Sequence, residues 1–103
     1  MSVENGPKRQ NPDAIPNVVT EIYKRAANAS NKVRERVLRA WIPNMLRVDS
    51  AAYSAEEYRD RLKGDFETLL KEPGHPEGGG HYEGWTSAEI RELYSVIYGE
   101  DLP

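Results

Sequence analysis

The sequence predicts an all-α protein, a small bundle of three or four helices with one long N-terminal helix and a flexible N-terminal tail. Apolar residues recur at helical spacing in three segments, two of these segments begin with a capping-box pattern, and no segment needs a strand to account for its residues. With 103 residues, of which 38% are hydrophobic, the chain has the size and composition of one globular domain.

The N-terminal segment, residues 1–14, is predicted to be a flexible tail. It contains Gly6, Pro7 and Pro12 among mostly polar residues and shows no periodic pattern. Residues 15–103 then form the single helical domain.

The first helix is predicted over about 16–42. Projected at about 100° per residue, the apolar residues before and after segment 28–31 fall on the same arc. These residues are Val18, Val19, Ile22, Tyr23, Ala26, Val33, Val37, Ala40 and Trp41. Because the phase is kept, we expect one continuous helix that Pro43 ends or kinks. The alternative is a turn at 28–31, with Ser30 capping a second helix.

The second helix is predicted over about 54–71. Ser54 and Glu57 have the spacing of a capping box, in which each side chain bonds the other residue's backbone N–H. Gly64 weakens the interior of this helix, and we expect it to mark a close helix crossing.

The third helix is predicted over about 86–98. Thr86 and Glu89 repeat the capping-box spacing, and Gly99 supplies the left-handed residue that ends many helices. Its apolar stripe consists of Ile90, Leu93, Tyr94 and Ile97.

Between the last two helices lies a Gly/Pro-rich loop, residues 72–84. It contains His75, Glu77, His81 and Glu83, residue types that can ligate zinc or another divalent metal. Three consecutive glycines separate the two His/Glu pairs, so that ordering them would be costly. We therefore expect a solvated linker and no metal or cofactor, and keep metal binding as the second alternative function.

Charge is distributed unevenly along the chain. Residues 1–48 hold nine Lys and Arg against four acids, whereas residues 49–103 hold five against thirteen. On the first-helix projection one flank of the solvent face carries Arg25, Lys32, Arg36 and Arg39. Tyr82 and Tyr98 are the aromatic residues expected to be exposed. We predict these six residues to contact a partner.

No pattern indicates catalysis. The absence of cysteine excludes thiol chemistry and thiolate metal sites, and no nucleophile is paired with a base. We expect a cytoplasmic, non-catalytic accessory subunit or regulator without a membrane span, which binds another protein or a second copy of itself through a charged helical surface. The first alternative is nucleic-acid binding by the basic stripe.

Overall fold

The computed structural model describes residues 15–49, 54–72 and 82–103, and within these ranges every regular element is helical. The prediction of an all-α fold is therefore confirmed. The elements are α1 (Asn17–Ala26), α2 (Asn31–Arg36), a π turn (Val37–Trp41), α3 (Ile42–Asp49), α4 (Ala55–Arg61), α5 (Asp65–Lys71) and α6 (Ser87–Tyr98). The predicted tail, residues 1–14, and residues 73–81 of the loop lie outside the described residues.

The expectation of one continuous helix over 16–42 is wrong. α1 ends at Ala26, residues 27–30 form a turn, and α2 begins at Asn31 with Ser30 as its N-cap residue. α2, the π turn and α3 follow one another without interruption, and we call this run, residues 31–49, the bulged helix. α1 contacts the π turn and α3, so the chain folds back on itself. We refer to α1 and the bulged helix together as the hairpin.

A tertiary contact stabilises the turn at 27–30. Ser30 has an extended backbone, with ψ at 159°, and its N–H and hydroxyl both donate to the carboxylate of Glu92 on α6. Apolar periodicity reports which face of a helix is buried, but it carries no information about a contact made 62 residues later in the chain. The matching phase therefore did not imply a single helix.

Pro43 was expected to end or kink its helix. It does not end the helix, and a π turn precedes it. The N–H of Ile42 bonds the carbonyl of Val37, five residues earlier. This wider turn accommodates the proline, which has no N–H and whose ring would otherwise crowd the carbonyl four residues before it. The helix continues to Asp49.

The π turn also aligns the buried face of the bulged helix. Val33, Val37, Trp41 and Met45 are all buried and follow one another at intervals of four residues. In a regular α-helix such a series drifts by about 40° at each step, and the extra residue in a π turn reduces that drift. One face can therefore remain in the core from Val33 to Met45.

The second predicted helix is also divided. Residues 62–64 form a turn between α4 and α5, with the N–H groups of Leu62 and Lys63 bonded to carbonyls three residues earlier. The Tyr98 hydroxyl donates to the carbonyl of Arg59 at 2.6 Å, which occupies the acceptor that Lys63 would use in a continuous helix. The expected close crossing at Gly64 is wrong, because an added Cβ there would meet nothing within 4 Å.

The helix starts and the last helix agree closely with prediction. Both capping boxes are complete, Ser54 with Glu57 and Thr86 with Glu89, and α6 ends at Gly99, whose φ is 72°. All four residues of the predicted α6 stripe are buried.

The core lies where α6 packs against α1, α2 and α5. Phe66 of α5 is at its centre, with its ring edge-on to Tyr94 and Tyr98 and stacked on Trp41. Tyr23 was expected in this core but is 60% exposed.

Candidate protein-binding surface

Arg25, the first of the predicted contact residues, supports the C-terminus of α6. Its Nε donates to the carbonyl of Val96 at 2.7 Å and its Nη2 to the carbonyl of Ile97 at 3.2 Å. These are carbonyls of the last helical turn, which have no partner within the helix and attract a cation. Burial lowers the pKa of Arg25, although its guanidinium remains charged. Arg25 therefore has a clear structural role.

Lys32 and Arg36 lie on aromatic rings. The Lys32 Nζ is 5.1 Å from the ring centre of Trp85 and 3.0 Å from Glu89 Oε1, while Arg36 lies 4.4 Å from the ring centre of Tyr82 and 5.1 Å from that of Trp85. These contacts attach α2 to the segment that leads into α6. The backbone N–H of Thr86 and then Lys32 lower the pKa of Glu89.

Arg39 has the most exposed side chain of the four cations predicted to contact a partner. Its Nε lies 2.6 Å from Glu35 Oε1, with 81% of its side chain exposed. Arg25, Lys32 and Arg36 make contacts with α6 or the segment before it, so the four cations do not form one uniform stripe.

Tyr82 and Tyr98, expected to be exposed, are largely enclosed. Tyr82 is 8% exposed and accepts a hydrogen bond from the Trp41 indole N–H at 3.1 Å. Tyr98 is half-buried, and burial raises its pKa. Tyr82 links the turn at 82–84 to the bulged helix, and Tyr98 links α6 to α4. The expected exposure of both residues is wrong.

A cleft of about 470 Å³ lies between the bulged helix and the α4–α5 pair. Its walls include Trp41, Leu62, Phe66 and Leu69, and Asn44 and Asp65 provide polar groups. The volume suits a small ligand. However, Trp41 and Phe66 are already packed into the core, which leaves only part of each ring facing the cleft.

The large apolar side chains that are exposed all come from the N-terminal part of the described sequence. Among the described residues, the large hydrophobic side chains classed as exposed are Ile15, Tyr23, Leu38 and Leu46, all within residues 15–46. None lies on α4, α5 or α6. The hairpin therefore presents apolar surface to solvent as well as to the core.

Two of these side chains line one groove, where α1 lies beside the bulged helix. The groove has a volume of about 310 Å³ and is lined by Tyr23, Ala26, Ala27, Arg34 and Leu38. We call it the Tyr23–Leu38 groove. Tyr23 is 60% exposed and Leu38 is 37% exposed, whereas Ala26 is buried. Small alanines thus lie beside two large side chains and a cation.

Within the described residues, the hydrogen bonds of the Arg34 guanidinium go to uncharged oxygens close by in the sequence. Its Nη1 donates to the carbonyl of Ala29 at 3.2 Å and its Nη2 to the side-chain oxygen of Asn31. Arg47 likewise donates to the Asn44 side chain at 3.1 Å. Within the described ranges, neither cation forms an ion pair with a carboxylate.

Most of the residues considered as possible metal ligands lie outside the part of the chain that the structure describes. His75, Glu77 and His81 lie outside the described residues, and Glu83 is exposed in the turn at 82–84. In the ranges that the structure covers, no group of three or more potential ligands is placed to hold a metal ion.

Sequence reasoning missed the Tyr23–Leu38 groove. On the first-helix projection Tyr23 falls at about 140°, at the edge of the apolar arc, and Leu38 falls at about 200°, beyond it. An apolar residue outside the main stripe was therefore the available signal. Leu38 and Tyr23 line the same groove because the chain folds back at 27–30.

Comparison with known proteins gives no relative: no family model, no curated protein and no solved structure matches this chain. None of the helices within the described ranges has both the length and the apolar character needed to cross a membrane.

Proposed function

We propose that this protein is a non-catalytic protein-binding module, an accessory subunit or regulator, that contacts its partner through the Tyr23–Leu38 groove. The observation on which the proposal depends is the exposure of two large apolar side chains on the two sides of one groove. Tyrosine and arginine, which both line the groove, are enriched in protein interfaces and among the residues that contribute most to binding.

The groove is held by a packed scaffold. Ile22 on α1 and Val33 and Val37 on the bulged helix are fully buried, so both sides of the groove are attached to the core. A surface that is ordered before binding loses less conformational entropy on association than a flexible one. This supports a binding role over that of a loosely packed edge.

We expect the predicted contact residues Arg25, Lys32 and Arg36 to contribute less to binding than the groove. Arg25 supports α6, and Lys32 and Arg36 contact the rings of Tyr82 and Trp85. Arg39, which is exposed on the π turn next to Leu38, is the member of that set best placed to border an interface.

Site-specific photocrosslinking tests the proposal. A benzophenone amino acid is placed at position 38 of the full chain, and the matched control carries it at position 67, an exposed site on α5. In cells of the source organism we expect discrete crosslinked adducts from position 38, and fewer of them when Tyr23→Ser is present in the same chain.

Equal adduct patterns from positions 38 and 67, or no adduct from position 38, would contradict the proposal. Circular dichroism of each variant establishes that its helical content is unchanged. Analytical ultracentrifugation separately shows whether an adduct comes from a second copy of the chain.

A further inference from the structure

We infer that the Tyr23–Leu38 groove accepts an acidic amphipathic α-helix of a partner protein, which places a large apolar side chain between Tyr23 and Leu38 and a carboxylate on Arg34. This inference rests on the proposed function and adds the class of partner. Three features of the molecule support it: the shape of the groove, its charge, and the packing of α6 on the same hairpin.

The shape favours a helix. The groove lies between two helical segments that follow one another in the chain, α1 and the bulged helix. Helices pack side by side in such grooves by inserting single side chains between the ridges of their neighbours. The described part of the chain contains no strand, so it offers no sheet edge to which an extended peptide could be added.

The charge favours an acidic partner. Arg34 lines the groove and its hydrogen bonds go to neutral oxygens, so its positive charge is not neutralised by a carboxylate of the described chain. In residues 15–49 there are seven Lys and Arg against three acids. An arginine at the edge of an apolar contact selects for carboxylates, because its planar guanidinium can bind both carboxylate oxygens.

α6 shows how this hairpin holds such a helix. It contacts α1 and α2 and buries Ile90, Leu93 and Ile97. Its acids meet polar groups of the hairpin: Glu89 lies 3.0 Å from Lys32 Nζ, and Glu92 accepts two hydrogen bonds from Ser30. The Tyr23–Leu38 groove also places apolar side chains beside a cation, on another part of the same hairpin, but there the apolar side chains are exposed.

A selection from a phage-displayed library of 16-residue helical peptides tests the inference, with the full-length protein as bait. We expect the enriched peptides to carry a large apolar residue flanked by Asp or Glu on one helical face. On the wild-type protein, replacing the acids of an enriched peptide by Asn and Gln should weaken its binding about tenfold in a fluorescence anisotropy titration.

Variants of the protein locate the binding site. Leu38→Gln and Tyr23→Ser should each weaken the selected peptide at least about tenfold. Arg34→Gln should weaken it roughly three- to tenfold, with a smaller dependence on salt than the wild-type protein shows. Lys71→Gln removes an exposed cation on α5 and serves as the matched control, with no expected change.

Each outcome separates the inference from the proposed function. If Leu38→Gln weakens binding but the enriched peptides are not acidic, or their neutral forms bind equally well, the partner class is wrong and the groove remains a protein-binding site. If no peptide is enriched, the partner class is wrong, and crosslinking from position 38 still tests the proposed function on its own. If peptides are enriched but Leu38→Gln and Tyr23→Ser do not change their binding, both the inference and the proposed function fail. A wild-type dimer that Leu38→Gln converts to monomer would place a second copy in the groove and overturn the inference.

Discussion

Glu92 binds Ser30 through both carboxylate oxygens: Oε2 accepts from the Ser30 N–H and Oε1 from the Ser30 hydroxyl, each at 2.8 Å. The pair joins α6 to the turn that reverses the chain at the start of α2. Ser30 therefore uses its hydroxyl as a donor and does not cap α2 with it. A single carboxylate thus links the position of the hairpin turn to the docking of α6.

We predict that Glu92→Gln lowers the free energy of unfolding by about 1 kcal/mol, because the amide has one acceptor oxygen for two donors and loses the negative charge. Urea denaturation measures the change, and hydrogen exchange should show reduced protection of the Ser30 amide. Glu67→Gln, which alters an exposed glutamate on α5, is the control. Equal stability of the two variants would show that the Ser30 contact is dispensable.

Both the backbone conformation of Gly99 and its contact with Arg25 favour glycine at this position. We therefore predict that the effects of substituting Gly99 and Arg25 on stability are not additive. The φ of Gly99 is 72°, and a Cβ added there would lie 3.1 Å from Arg25 Nη1. Gly99→Ala should destabilise the protein by about 1–2 kcal/mol. In a double-mutant cycle with Arg25→Ala, the combined loss should be smaller than the sum by about 0.5–1 kcal/mol, because the crowding is removed.

Gly64→Ala is the matched control for Gly99→Ala. Gly64 has a φ of −65° and open space around an added Cβ. The substitution should be neutral or stabilise the protein by up to about 1 kcal/mol, because alanine restricts the unfolded chain. Thermal denaturation measures the stability of both variants.

If the effects of Gly99→Ala and Arg25→Ala on stability are strictly additive, the backbone conformation alone requires glycine at position 99.

Tyr82→Phe should destabilise the protein although it removes a single oxygen atom. The Tyr82 hydroxyl accepts from the Trp41 indole N–H at 3.1 Å, and both residues are buried. Loss of the acceptor leaves a buried donor without its partner, at a cost of about 1–3 kcal/mol. Urea denaturation followed by tryptophan fluorescence measures the effect. Tyr23→Phe, at an exposed site, should change stability by less than about 0.5 kcal/mol, and the same result for Tyr82→Phe would indicate that the hydrogen bond contributes little.

Glu89 predicts a pH dependence of stability. The Thr86 N–H and Lys32 lower its pKa in the folded protein, so the folded state favours the carboxylate more than the unfolded chain does. Its contribution is fully present above the unfolded pKa of about 4.3 and is lost as the pH falls through the lower folded value. The stability difference between wild type and Glu89→Gln should be constant from about pH 6 to 8 and shrink below about pH 4.

Denaturant titrations at several pH values measure this difference. Glu67→Gln again provides the control, since no ion pair of Glu67 occurs in the part of the chain that the structure describes. A difference between wild type and Glu89→Gln that does not vary with pH would contradict the assignment.

Local patterns in the sequence were enough to predict the all-α fold, both capping boxes, the buried stripe of α6 and its end at Gly99. Each depends on residues that lie within a few positions of one another: Ser54 with Glu57, Thr86 with Glu89, and apolar residues three or four apart. Short-range hydrogen bonds and helical periodicity act over that distance, and the printed sequence displays them directly.

Tertiary structure decided where the helices break and which side chains remain on the surface. Glu92 stabilises the turn at Ser30, and the Tyr98 hydroxyl occupies the Arg59 carbonyl beside the turn at 62–64. Tyr23 and Leu38 line the same groove only because the chain reverses between them. These pairs of residues are 15 to 62 positions apart in the sequence. Because local periodicity does not encode distance in space, the candidate site became visible only in the folded molecule.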